Sequence, residues 1–160
     1  MRVSTSVFPM ENTSEPVCDH PGMPNNATLT LKDVARRLLA YEAASNKSDA
    51  AKNAATFCVC EKMRTPLGKL LGVGGFRSLL SRALALAAAE VPWLRALHIN
   101  PDGSLKGLDE LLAKQDLPVI SEGEVVLIAE LLGLLVTFIG PALTQQLLGD
   151  IWPKLDDLNL

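Results

Sequence analysis

The chain reads as an all-α protein, a single bundle of five or six helices behind a disordered N-terminal tail. Three observations carry that reading. Among 160 residues there are 29 Leu and 18 Ala against 11 Val and 5 Ile, and aromatics make up only 4%. Leu and Ala are strong helix formers, whereas a β domain needs more branched and aromatic side chains. Apolar residues recur at helical spacing in several separate stretches. Gly and Pro, the strongest breakers, fall between those stretches.

Residues 1–27 form the predicted tail and 28–160 the helical domain. Pro9, Pro16, Pro21 and Pro24 interrupt any helix in the tail, and no periodic apolar face runs through it. The first helix opens with Thr30 as N-cap and Asp33 at the third helical position. It buries Leu31, Val34, Ala35, Leu38 and Leu39 and turns Lys32, Arg36 and Arg37 outward. A turn at 45–49 precedes a second helix with Ala51, Ala54, Ala55, Cys58 and Val59 on its inner face, running to Met63. Pro66 ends it or opens a short piece carrying Leu67, Leu70 and Leu71.

Gly72, Gly74 and Gly75 then mark the sharpest break. A long helix from Phe76 follows until Pro92 stops or kinks it. Around the turn signal Asn100, Pro101, Asp102 and Gly103, residues 97–99 and 104–106 form either a small hairpin or a plain connection. A two-turn helix carries Leu108, Leu111 and Leu112. Ser121 with Glu124 reads as the capping box of the last long helix, which runs toward Ile139. Gly140 and Pro141 end it and begin a final segment closed by Gly149.

Charge is uneven. Residues 62–95 hold six basic groups and one acid, a local +5, whereas 102–160 hold three basic groups and ten acids, a local −7. An acidic chain of net charge −3, with few aromatics beside its cations, excludes a nucleic-acid binder as the expectation. The basic part instead suggests an anion or an acidic partner. Its centre is the candidate site: Lys69, Gly72, Gly74, Gly75, Arg77, Ser78, Arg82 and Arg95. Glycines beside a helix start allow backbone N–H groups to face an anion. The order of glycines and lysine fits neither a Walker loop nor a dinucleotide fingerprint.

Between Glu124 and Asp150 only Glu130 is charged. That length allows a bilayer span. The acid, the polar residues near its end and the acidic flanks favour the central helix of a bundle. Along it, Ala129, Gly133, Thr137 and Gly140 form a small-residue stripe that lets another helix approach closely. Glu130, if buried, would be a polar site with a raised pKa.

Catalytic signals are few. His20 and His98 are the only histidines, and no nucleophile elbow accompanies them. Cys58 and Cys60, two apart on a helix, point in different directions, Cys58 inward and Cys60 away. They therefore make a poor zinc pair with Cys18 and His20. No metal or cofactor is expected. Three cysteines, with no apolar run after Met1 and Arg2, suit a reducing cytoplasm. The resulting expectation is a non-catalytic regulatory or adaptor protein that binds a protein partner through the basic region, with Trp93 or Trp152 as anchor. A homodimer would cover surplus apolar surface, and insertion of 125–149 into a membrane is the alternative.

Overall fold

The computed structural model describes residues 30–45, 55–155, 158 and 160. The predicted tail, Cys18, His20, residues 46–49 of the turn, and Ala51 and Ala54 of the expected second helix lie outside the described residues. Within them the chain is helical: α1 (Leu31–Ser45), α2 (Ala55–Glu90), α3 (Leu108–Leu112), α4 (Leu117–Ile139) and α5 (Pro141–Ile151). A 3-10 turn at Pro92–Ala96 and two short strands, β1 (His98–Ile99) and β2 (Leu105–Lys106), separate α2 from α3. The all-α class is therefore correct.

Helix α1 starts as its first residues dictate. The Asp33 amide donates to the Thr30 hydroxyl at 3.2 Å, and the Thr30 amide donates back to the Asp33 carboxylate at 3.3 Å. This reciprocal cap holds the Asp33 carboxyl below its usual range, the Thr30 hydroxyl being the main cause. Strands β1 and β2 pair antiparallel, His98 opposite Lys106 and Ile99 opposite Leu105. The hairpin, rather than the plain connection, is what the turn produces. Asp102 accepts bonds from the Ser104 amide at 3.0 Å and the Ser104 hydroxyl at 2.7 Å, which tie the turn internally.

Helix α4 lies at the centre and packs against α1, α2 and α5. Val125, Val126, Leu127, Ile128, Ala129, Leu131, Leu132 and Leu135 are buried along it. The stripes of α1 (Val34, Ala35, Leu38, Leu39) and α2 (Val59, Met63, Leu67, Phe76, Leu80, Ala83) close over it in one core. Of the small-residue stripe, Ala129 is buried and Gly133 receives a neighbouring helix, whereas Thr137 is exposed and Gly140 forms the joint to α5. A side-chain carbon placed on Gly133 would lie 3.3 Å from the Leu31 terminal methyl, so α1 rests on α4 there.

Several local expectations are corrected. Helix α2 keeps Pro66 in its interior and does not end there; its bend lies at Gly72, with φ 78° and ψ 162°. That conformation is essentially restricted to glycine. The helix resumes at once, so Gly74 and Gly75 belong to it rather than to a loop. The break expected at Gly140 and Pro141 is present: Gly140, with φ 85° and ψ 161°, makes the same kind of joint between α4 and α5. The segment 125–149 is thus divided between two helices. Around Cys58 the inner face is rotated by one residue: Thr56, Val59, Cys60 and Met63 are buried, and Cys58 is only half-buried. Helix α3 has five residues instead of two turns. Helix α4 begins at Leu117, with Pro118 in the first turn and Asp116 as N-cap, five residues before the expected cap at Ser121.

The earlier start of α4 places Gly123 in the helix interior, directly under the Trp93 indole. A side-chain carbon there would fall 2.3 Å from Trp93 Cζ2. Alanine in a helix interior ordinarily gains about 0.5–1 kcal/mol over glycine. Overpacking a filled site costs about 1–3 kcal/mol. The ring cannot give way as a flexible chain end does, so packing wins. Gly123→Ala is expected to lower the urea midpoint, by about 1–2 kcal/mol net. Gly133→Ala meets only a movable leucine methyl and should cost less. Equal midpoints for the two variants would contradict this account.

Candidate functional site

Two depressions and one ion pair with a buried acid concentrate the polar chemistry of the described residues. The larger depression is a groove of about 940 Å³ between α2 beyond its bend and the C-terminal end of α4. Leu71, Gly74, Gly75, Leu79 and Ala85 form its apolar surface, Phe138 stands at one side, and Arg77, Ser78, Ser81 and Arg82 supply its polar atoms. The Gly72 bend makes this possible, because it sends the second half of α2 off the axis of the first. Without a side chain at Gly74 and Gly75, the helix backbone lies open toward the groove.

Five of the eight residues expected to form the basic site (Gly74, Gly75, Arg77, Ser78 and Arg82) therefore line one surface. Gly72 shapes that surface without lining it, Lys69 lies on α2 before the bend, and Arg95 lies beyond the far end of α2 on the 3-10 turn. Neither Arg77 nor Arg82 has a carboxylate partner among the described residues. Phe138 is 65% exposed, and Leu70, Val73, Leu86 and Leu143 are also exposed. The groove surface is therefore apolar and cationic together.

The second depression is a cleft of about 360 Å³ between α1 and the first turns of α4. It is lined by Leu39, Ala43, Ile120 and Val125 among others, with Arg36 and Ser121 at its mouth and Glu124 within. Glu124 is 9% exposed, and its carboxyl lies beside the buried Thr56 hydroxyl, the two making no close hydrogen bond. Burial pushes the Glu124 pKa up to about 7, with the Thr56 hydroxyl and backbone N–H pulling weakly the other way. The neighbouring Cys60 thiol is also buried and pushed up to about 12, so it stays neutral and unreactive at neutral pH.

Glu130, the acid singled out from the sequence, is only half-buried. Among the described residues the buried acids are Glu124 and Glu42. Glu42 Oε1 accepts 2.6 Å bonds from both Lys62 Nζ and Trp152 Nε1. Trp152 is thus a core residue, 1% exposed, and not a surface anchor. Trp93 is half-buried, with its Nε1 buried and unpartnered. The signal for both buried acids was in the spacing. Glu42 continues the Leu38 and Leu39 stripe of α1 by one turn, and Glu124 precedes Leu127 and Ile128 by one turn on the inner face of α4.

Three or more His, Cys, Asp or Glu side chains able to hold a metal ion do not converge anywhere among the described residues. One described helix, α2, is long and apolar enough to cross a membrane by length and composition. No protein-family model matches the chain, and no curated protein or solved structure matches it.

Proposed function

We propose that this chain is a non-catalytic adaptor that docks an acidic amphipathic helix of a partner protein in the groove beside the α2 bend. The observation that carries the reading is the pairing of an apolar channel with two arginines, Arg77 and Arg82, that have no carboxylate among the described residues. Two helices at an angle present a trough into which a third lays its apolar face. Exposed Phe138 supplies the aromatic anchor that such interfaces concentrate near their centre. Acidic residues on the partner's flank would meet Arg77 and Arg82 and raise the association rate. The described lining residues include no His, Asp, Glu or Cys, so the groove supports binding and supplies no side-chain general base.

A second reading rests on the same exposed apolar and cationic surface, which also suits an anionic membrane. The test separates the two. Wild type and an Arg77→Glu/Arg82→Glu variant are compared by partner capture in cells and by co-sedimentation with phosphatidylserine vesicles. The expected result is loss of captured protein partners in the variant at unchanged melting temperature, with no vesicle binding by wild type. Salt-sensitive vesicle binding that the variant loses would assign the surface to lipid and reject the adaptor reading. An unchanged partner set in the variant would reject the groove itself.

A further inference from the structure

We infer that the groove beside the α2 bend is occupied by the chain's own N-terminal segment, residues 7–15, which must leave before any other segment docks there. The inference rests on reading the groove as a docking surface for an acidic apolar segment. It names an occupant in the same chain, and so a means of regulating that surface. Three observations point to this occupant: the composition of the segment, the charge of the groove and the place where α1 begins.

Residues 7–15 carry Val7, Phe8 and Met10 and then Glu11 and Glu15, with no cation among them. Phe8 is the only aromatic side chain before Tyr41. The groove is the complement of this composition. Leu71, Leu79 and Phe138 offer it apolar surface, and the exposed Arg77 and Arg82 have no carboxylate partner among the described residues. Phe8 and Met10 would cover the apolar part, and Glu11 and Glu15 would meet the two guanidinium groups, which suit carboxylates geometrically as well as by charge.

The start of α1 is fixed near the same groove. Lys32 Nζ binds Glu90 Oε1 at 2.7 Å, and Leu31 rests on Gly133. Glu90 and Gly133 stand five residues along their helices from Ala85 and Phe138, both of which line the groove. Five residues of helix advance about 7.5 Å. Fifteen positions separate Glu15 from Thr30, and that length of chain spans up to about 50 Å when extended. The segment therefore reaches the groove with length to spare. A tether of this kind gives an effective concentration of about 1 mM. At that concentration an intrinsic affinity of about 0.1 mM keeps the groove about 90% covered. A competing segment then binds about tenfold more weakly than it would to an open groove.

The test is binding of a fluorescent synthetic peptide of residues 3–17 to the full chain, read by anisotropy. Wild type is compared with Phe8→Ser/Glu11→Gln/Glu15→Gln, which removes the anchor and both charges from the tethered copy. This variant is expected to bind the peptide about tenfold more tightly than wild type. Adding Arg77→Glu/Arg82→Glu to it should abolish that binding. A full chain with photoreactive benzoylphenylalanine in place of Phe138 reads the contact directly. On irradiation it should crosslink to the tryptic fragment 3–32 within a monomer, at a yield unchanged by tenfold dilution. Equal peptide affinity of wild type and the tail variant, or no binding to either, would overturn the inference. So would a crosslink yield that falls on dilution, which would assign the occupant to a second copy. Loss of cellular partners by Arg77→Glu/Arg82→Glu, together with equal peptide affinities, would reject this occupant and leave the adaptor reading standing. An unchanged partner set with the tenfold difference would do the reverse.

Discussion

Trp152→Ala is expected to lower the stability of the chain by about 3–5 kcal/mol, the cost of deleting a large buried aromatic side chain. The indole is 1% exposed and is among the largest fully buried side chains in the core. It also serves an ion. Glu42 is 2% exposed, and its Oε1 is satisfied by two donors, the Trp152 N–H and the Lys62 ammonium. A buried carboxylate that loses a donor keeps its desolvation cost without the compensating bond. Trp152→Phe separates the two contributions. It retains most of the apolar body and removes the N–H, and should cost about 1.5–3 kcal/mol, the range for a hydrogen bond to a charged group. Glu42→Gln in the Trp152→Phe background should then recover part of the loss. Urea unfolding of wild type, Trp152→Phe, Glu42→Gln and the double variant measures the cycle. A Trp152→Phe midpoint equal to wild type would show that the bond to Glu42 contributes nothing.

Wild-type stability should fall as pH rises from about 5 to 8, and Glu124→Gln should abolish most of that fall. The folded protein holds the Glu124 proton up to about pH 7, whereas the ordinary value is 4.5. Between those values the native state binds a proton that the unfolded chain has released, so raising the pH favours unfolding. The contribution of Glu124 is complete below about pH 4.5 and is lost as pH passes 7. Integrated from pH 5 to 8, the shift corresponds to about 2–3 kcal/mol. Glutamine cannot ionise, and the gap between variant and wild type should widen by that amount over this interval. Differential scanning calorimetry at a series of pH values provides the comparison. A gap that stays constant with pH would mean that the carboxyl is not buried in solution.

Much of the architecture was legible in local chemistry. Thr30 and Asp33 announce the cap of α1, the Gly140 and Pro141 pair announces the joint between α4 and α5, and Pro92 marks where α2 gives way to a 3-10 turn. The apolar density of α4 foretells its central place. What was not legible arises where two local signals compete. Ser121 with Glu124 satisfies the cap pattern, but Asp116 before Pro118 offers an earlier start, and burial of Ile120 and Val125 favours the longer helix. The rotation of α2 that buries Cys60 and not Cys58 depends on which face meets α4, a tertiary fact. Of the candidate site, the cluster around Arg77 and Arg82 was readable as charge, whereas its partner residue Phe138 comes from another helix. Burial of Glu124 was not legible because, three residues after Ser121, it fits the exposed acid of a capping pattern, and only the earlier start of α4 turns it inward.

The placement of α4 between α1 and α2 has a consequence for how the chain reaches this state. Helix α1 lays its leucines on a helix that is separated from it in sequence by the whole of α2, the hairpin and α3. Topology of that kind raises contact order and slows folding relative to a bundle of sequential neighbours. During synthesis, α1 can meet α2 first, but the part of its apolar face that rests on α4 stays uncovered until α4 has emerged. Fragments truncated before residue 117 therefore lack the surface on which the remaining helices condense.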